Sequence, residues 1–190
     1  MQASELMQDA GPFYRRQVER CSELGIDAGA LPISHLAVRT RTWREYLVLR
    51  DEFEERSVAN LENVWNGRPI SKLLLADPLP LSASASVELV ELIPPFHQRV
   101  YRMGLEHVGF VVGADLDDDF SRRHRAVLTG QQFQSSANEP VYILFDDYTH
   151  VKFHQRSLKD ACEREGRAFV GFQHVDWHPV DVLAGPYEVA

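Results

Sequence analysis

What most constrains this chain is an order of elements that it spells twice. The run LPISHLAVRT reads as a buried strand from about Ile33 to Thr40. Residues 41 to 56, RTWREYLVLRDEFEER, space Trp43, Tyr46, Leu47, Leu49 and Phe53 among charges as an amphipathic helix does. Three extended runs follow: SVANLENVW, then PISKLLLA after the Asn66-Gly67 turn signal, then ASVELVELI, closed by Pro94-Pro95. Beyond a linker at 94 to 103 the order returns, with LEHVGFVV as strand, DDDFSRRHRAVLTG as helix, and QQFQSS, PVYILFDD and THVKFHQ as extended segments. The expectation is an α+β fold with four parts: an N-terminal helical segment at 1–30, βαβββ modules at 31–98 and 99–165, and a tail at 166–190. Residues 2 to 25 read as a helix interrupted at Gly11-Pro12 and stopped at Gly25, and SLKDACERE as a last helix before an irregular end.

Composition narrows the function. With 190 residues, 44% apolar and 25% charged, the chain can bury a substantial core. A net charge of -8 argues against a nucleic-acid partner, whose backbone needs clustered positive charge, and disfavours anionic membranes. No run approaches the roughly 20 apolar residues of a membrane span, and MQASELMQDA lacks the basic and apolar regions of a signal peptide, so a cytoplasmic protein is expected. Phosphate-loop, dinucleotide-turn and nucleophile-elbow motifs are absent. Cys21 and Cys162 stand alone, as inert core or helix residues rather than a disulfide framework or thiolate zinc site. Any metal must then be held by histidines and carboxylates.

The repeat places four such groups. His35 and His107 lie in the first strands of the two modules, and Glu91 and His154 in the last. Alternation puts His35 on one face with Ala37 and Arg39, Glu91 with Val87 and Leu89, His107 with Gly109 and Val111, and His154 with His150 and Lys152. Burying imidazoles and a carboxylate on a largely dry face is costly without a shared partner, and one divalent cation (zinc, iron(II), manganese, nickel or cobalt) is the simplest. Such an ion would act as a Lewis acid or carry an activated water or dioxygen. The plainer alternative for each histidine is a hydrogen-bonded core residue. Alternation turns Glu88 and Glu106 to the other face and excludes them unless a bulge shifts the register. His174 and His178 read as structural or contact residues, His97 and His124 as surface, His150 as surface or cup mouth, and the acidic run Asp115 to Asp119 as a helix N-terminus.

The segments SHLAVR, NGRPI at 66–70, VELVELIPP at 87–95, GLEHVGFVV at 104–112 and VKFHQRSL at 151–158 resemble, in that order, the YecM-like family of the vicinal oxygen chelate superfamily. The likeness runs over about residues 30 to 160. It implies paired βαβββ modules forming a cupped mixed sheet around one divalent metal, with His35, Glu91, His107 and His154 at the ligand positions. The superfamily more often has a carboxylate at the last of these. Were His154 only near the metal, the other three would form the two-histidine, one-carboxylate set associated with non-haem iron(II). Arg39 and Lys152 share faces with the proposed ligands and are the next candidates, as substrate-binding residues or as ion pairs with buried carboxylates. Arg68 and Tyr101 are rim candidates.

The expected function is a metal-dependent enzyme that chelates a small, anionic, oxygen-bearing substrate for isomerase, lyase or dioxygenase chemistry, with no catalytic residue assigned. The alternative is a non-catalytic protein that sequesters a small molecule in the same cup; its binding would survive loss of Glu91. A third reading uses the tail around Phe169 to Trp177 as a partner surface, and a homodimer is left open.

Overall fold

The computed structural model describes residues 1–95, 101–116, 119–133, 135 and 137–178. His97, Asp117, Asp118 and the tail beyond 178 lie outside the described residues.

The first module runs β1 (Ile33–Arg39), α2 (Trp43–Glu54), β2 (Ser57–Trp65), β3 (Arg68–Pro80) and β4 (Ser86–Ile93), preceded by α1 (Ala3–Glu23). The second runs β5 (Gly104–Val111), α3 (Phe120–Arg123), β6 (Gly130–Gln131), β7 (Val141–Leu144) and β8 (His150–His154), followed by α4 (Leu158–Arg164) and β9 (Gly171–Gln173). All strands belong to one mixed sheet in the order β6-β7-β8-β5-β1-β4-β3-β2-β9. Within each half the first strand is parallel to the last, β1 to β4 and β5 to β8, and the remaining strands pair antiparallel outward. The halves meet where β1 and β5 pair antiparallel, so the two histidine-bearing strands are neighbours at the centre.

Alternation sorts the two faces. Leu36, Val38, Val90, Leu92, Val108, Phe110, Val151 and Phe153 join Phe13, Tyr14, Tyr46, Leu49 and Phe53 in one apolar core under α1 and α2. The intervening residues, including His35, Glu91, His107 and Lys152, are buried on the opposite face. Thr42 caps α2 by accepting the Glu45 N–H, and Ser157 caps α4 through the Asp160 N–H.

Four local expectations are corrected. α1 is continuous through Pro12, because Leu6, Ala10, Phe13, Tyr14, Gln17 and Cys21 are all buried along it. An interior proline costs about 3 kcal/mol, and burying one large apolar side chain returns about 1.5–3 kcal/mol. Gly11 lies close against the Leu81 carbonyl, which a Cβ would approach at 3.1 Å. The helix expected at 117–130 is a single turn, Phe120–Arg123, on which only Phe120 is buried, so little apolar packing holds it. Of the extended segment expected at 131–136, only Gln131 lies in β6, whose other residue is Gly130. In the supposedly irregular tail, β9 adds a parallel strand beside β2, with Trp177 against Trp43 at 5.0 Å and His174 Nε2 2.6 Å from Glu54 Oε1. Among the described residues no helix is long and apolar enough to cross a membrane.

Candidate metal centre

Each central strand carries a β-bulge immediately before its histidine. In β1, Ile33 faces Phe110 and His35 faces Gly109, leaving Ser34 extra; in β5, His107 faces Ala37 and Leu105 faces Val38, leaving Glu106 extra. The extra residue's side chain stays beside its histidine. Ser34 Oγ lies 2.9 Å from His35 Nδ1, and Glu106 Oε1 lies 3.3 Å from His107 Nδ1. The exclusion of Glu106 by simple alternation is therefore overturned: it is buried within the cup, whereas Glu88, at the register shift between β3 and β4, is exposed and meets Lys159 at 3.8 Å.

Small residues across the strand pair make room for both rings. His107 faces Ala37, and His35 faces Gly109 so closely that a Cβ there would lie 2.5 Å from His35 Cε1. The rings then converge. His35 Nε2 and His107 Nε2 are 3.1 Å apart, and Glu91 Oε2 lies 3.7 Å from the first and 3.4 Å from the second. First-row divalent metals hold such donors at roughly 2.0–2.2 Å, which sets neighbouring ligands about 3 to 3.5 Å apart. These spacings fit one ion.

Hydrogen bonding fixes which nitrogens are available. Glu106 can only accept, so His107 donates its Nδ1–H and keeps the Nε2 lone pair. Ser34 Oγ accepts the Leu158 N–H at 2.8 Å and holds His35 Nδ1 at 2.9 Å, where the hydroxyl can accept from the ring or donate to it. His154 donates Nδ1–H to Asn138 Oδ1 at 2.9 Å, and its buried Nε2 has no hydrogen-bond partner among the described residues. Three histidines thus have Nδ1 anchored and Nε2 available, the arrangement that outer partners impose on metal-ligating imidazoles. Burial holds His35 well below the usual histidine range and brings His154 down to about 3, so both rings are neutral. Burial pushes the Glu91 carboxyl up, but its neighbours His107, His35 and Lys152 together outweigh it and hold the group well below the usual carboxylate range.

His35, Glu91 and His107 form the compact set, with donor atoms within 4.8 Å of one another. His154 stands beside it, its ring centroid 5.3 Å from that of His35. The four positions are not all equivalent in the duplication. Ala37 pairs with Glu91 and its counterpart Gly109 pairs with Lys152, so the second module has a lysine where the first has the carboxylate; His154 pairs one step further, with Val111. Parity assigns a face but not a distance along the strand. Glu106, His107 and His150 form a second cluster of donor atoms, with the His107 and His150 rings stacked at 4.6 Å. There, however, Arg39 occupies both Glu106 oxygens, through Nε to Oε2 and through Nη2 to Oε1 at 3.1 Å.

The same ion pair settles where Arg39 sits. Its Nη1 donates to the Pro94 carbonyl at 3.3 Å and its guanidinium lies 4.9 Å over the Tyr101 ring, so Arg39 is engaged by protein on every side. Burial raises the Glu106 carboxyl, yet Arg39 outweighs it and keeps Glu106 far below the carboxylate range. Tyr101 donates to the Pro95 carbonyl at 3.3 Å and packs on Arg39.

A cavity of about 370 Å³ reaches the donor set at Glu91 and is lined also by Glu106, His150, Arg68, Lys72 and Lys152. Lys72, which parity did not single out, donates to Asn63 Oδ1. Lys152 makes no hydrogen bond or ion pair among the described residues, and burial lowers its ammonium, and that of Lys72, from the ordinary lysine range. Arg68 is 4% exposed, stacks 5.2 Å from the Trp65 ring, and leaves Nε and Nη1 without partners among the described residues. Burial, then the Arg39 charge, lowers it to about 10, so it stays cationic at neutral pH.

Ser34, Glu106, Asn138 and Gly109 are the site residues that strand parity missed. One signal was present: S-H and E-H put a polar residue before the histidine in both repeats, at a position where an unbulged strand would present a core side chain.

Comparison with known proteins agrees with the architecture. Protein YecM of Escherichia coli (strain K12) is 25% identical over 179 residues, covering 86% of this chain and 94% of that protein. A solved structure described as structural-genomics protein EC4020 is similar with a TM-score of 0.62 and 25% identity, covering 83% of this chain and 92% of its own. A looser likeness, with TM-score 0.28 and 13% identity over 70% of this chain and 95% of the other, is to the genomically encoded fosfomycin resistance protein FosX from Listeria monocytogenes, complexed with Mn(II) and sulfate ion. The YecM protein family profile matches residues 2–165, nearly the whole duplicated fold with its N-terminal helix, and the chain belongs to the YecM protein family.

Proposed function

We propose that this chain is a metal-dependent enzyme of the vicinal oxygen chelate type, acting on a small, anionic, oxygen-bearing substrate. One observation carries the reading: His35 Nε2, His107 Nε2 and a Glu91 oxygen converge within 3.7 Å of one another in a buried cluster, and Glu91 also lines a cavity rich in cationic side chains. His35, His107 and Glu91 would hold the ion, with His154 completing the set. A divalent ion bound there would supply Lewis acidity to a chelating pair of substrate oxygens. Zinc, nickel, cobalt or manganese would direct the site toward isomerase or lyase chemistry, and iron(II) toward oxygenation.

The chain's own residues have separate tasks. Ser34, Glu106 and Asn138 orient the three imidazoles, and Arg39 keeps Glu106 ionised and fixed for that purpose. Lys152 and Arg68 present positive charge to the cavity, where an anionic substrate would be drawn and oriented. The walls exclude water from the donors, all of which are buried.

The test is elemental analysis of tag-free protein after controlled reloading, for wild type beside Glu91→Ala and His107→Ala. Near one metal per chain in wild type, lost in both variants with circular dichroism unchanged, is the expected result. Unchanged metal in both variants, or none in wild type, would overturn the reading.

A further inference from the structure

We infer that the substrate carries a second acidic group besides its chelating oxygens, and that Arg68 receives it; the class is small dianions such as hydroxy- or keto-acids with a further carboxylate or phosphate. This rests on the metal reading above and adds what the cationic lining of the cavity recognises.

The charged side chains lining the cavity are Arg39, Arg68, Lys72, Lys152 and Arg167 against Glu91, Glu106 and Glu165, and the exposed Arg167 and Glu165 meet one another at 3.7 Å. Arg39 and Glu106 neutralise one another in a two-pronged ion pair. Glu91 belongs to the donor set, where an ion of charge two would more than balance it. That leaves three cations with no carboxylate to answer them. A chelating oxygen pair bearing one negative charge would meet the ion but leave Arg68 as it stands.

Arg68 is the sharpest of the three. It opens β3 directly after the Asn66-Gly67 turn, whose positive φ angles of 49° and 75° bring the chain straight back, so its place on the cavity wall is set by a tight hairpin. Trp65, its cross-strand partner, supports one side of the guanidinium. Two of its three nitrogens are buried without an acceptor among the described residues, in a fold that otherwise pairs the buried guanidinium of Arg39 twice over. Burying a charge with no partner works against folding, and an apolar side chain in its place would be better tolerated. A guanidinium kept in that condition is matched to an acceptor that arrives with the ligand, and its planar donors suit carboxylate or phosphate oxygens. Lys152, the register partner of Gly109 on the neighbouring strand, lines the same cavity and would add its charge to the hold on such a molecule.

Isothermal titration of the metal-loaded protein with malate and with lactate separates the two ends, since both offer a hydroxyl beside a carboxylate and only malate has the distal acid. Malate should bind at least tenfold more tightly than lactate in wild type. In Arg68→Gln that ratio should fall to near one, malate losing far more affinity than lactate, and Arg68→Lys should keep part of it. The ligand-free Arg68→Gln protein should melt at or above the wild-type temperature. Equal binding of the two acids in wild type, an unchanged ratio in Arg68→Gln, or a lower melting temperature for that variant would overturn the inference. Inorganic phosphate on metal-free protein keeps the two claims apart. If only the metal reading fails, phosphate still binds wild type and is lost in Arg68→Gln; if the Arg68 assignment fails, phosphate binds both alike.

Discussion

The two halves share one backbone plan and differ in what they hang on it. Both place a bulge before a central histidine, a small residue opposite it, and a last strand parallel to the first. Beyond that they diverge. The first half is fully built, with a 12-residue helix and strands of nine and 13 residues, while the second has a four-residue helix and strands of two and four. Chemically, the bulge residue is a neutral Ser34 in one and a carboxylate, Glu106, in the other, and the register partner of the small residue is Glu91 in one and Lys152 in the other. Duplication supplies converging imidazoles by symmetry; loss of that symmetry supplies one ligand carboxylate and one cation in place of two of either.

The bulge residues should show the largest difference. Glu106→Ala leaves Arg39 buried and unpaired, which costs about 3–5 kcal/mol, whereas Ser34→Ala removes a neutral hydrogen-bonding group for about 1 kcal/mol. Urea denaturation of the two variants measures this directly. Equal costs would mean that the second module does not depend on its charged network.

The small residues come next. Gly109→Ala drives a Cβ into the His35 ring and should cost about 1–3 kcal/mol, with metal affinity falling tenfold or more. Ala37→Gly, at the matching place, should cost about 0.5–1 kcal/mol from backbone freedom alone, with metal affinity within about twofold. A mild Gly109→Ala would break the argument that the glycine exists to seat His35.

The smallest effect is a pH dependence of the metal-free protein. His35 and His154 are held below the ordinary histidine value by burial, so the unfolded chain takes up protons first as pH falls. Their contribution is complete above the unfolded value of about 6.5 and is lost on acidification, for His154 down to a pH of about 3. The slope is at most about 1.4 kcal/mol per pH unit for each ring. Urea midpoints measured from pH 7 to pH 4 should fall accordingly, and His154→Gln should flatten the fall. A midpoint that rises on acidification would contradict neutral, buried rings.

Much of this was readable in the chain because the central strands are buried on both faces. ISHLAVR and LEHVGFV must present one apolar row to the helices, and that row fixes the face of His35 and His107. SVANLENVW matched β2 residue for residue because turns bound it on both sides. Parity failed where the period was broken or where distance along a strand mattered: Glu106 sits in a bulge, and Lys152 rather than His154 is the counterpart of Glu91. β9 was illegible because all three of its residues are exposed and its pairing with β2 leaves no hydrophobic pattern.

The most direct test is a crystal structure of the reloaded protein with anomalous scattering collected at the metal edge. One ion bound by His35 Nε2, His107 Nε2 and a Glu91 oxygen, with Glu106 still paired to Arg39, is the predicted result. An ion held instead by Glu106, His107 and His150, or no anomalous peak within the cup at full occupancy of the bulk metal, would contradict it.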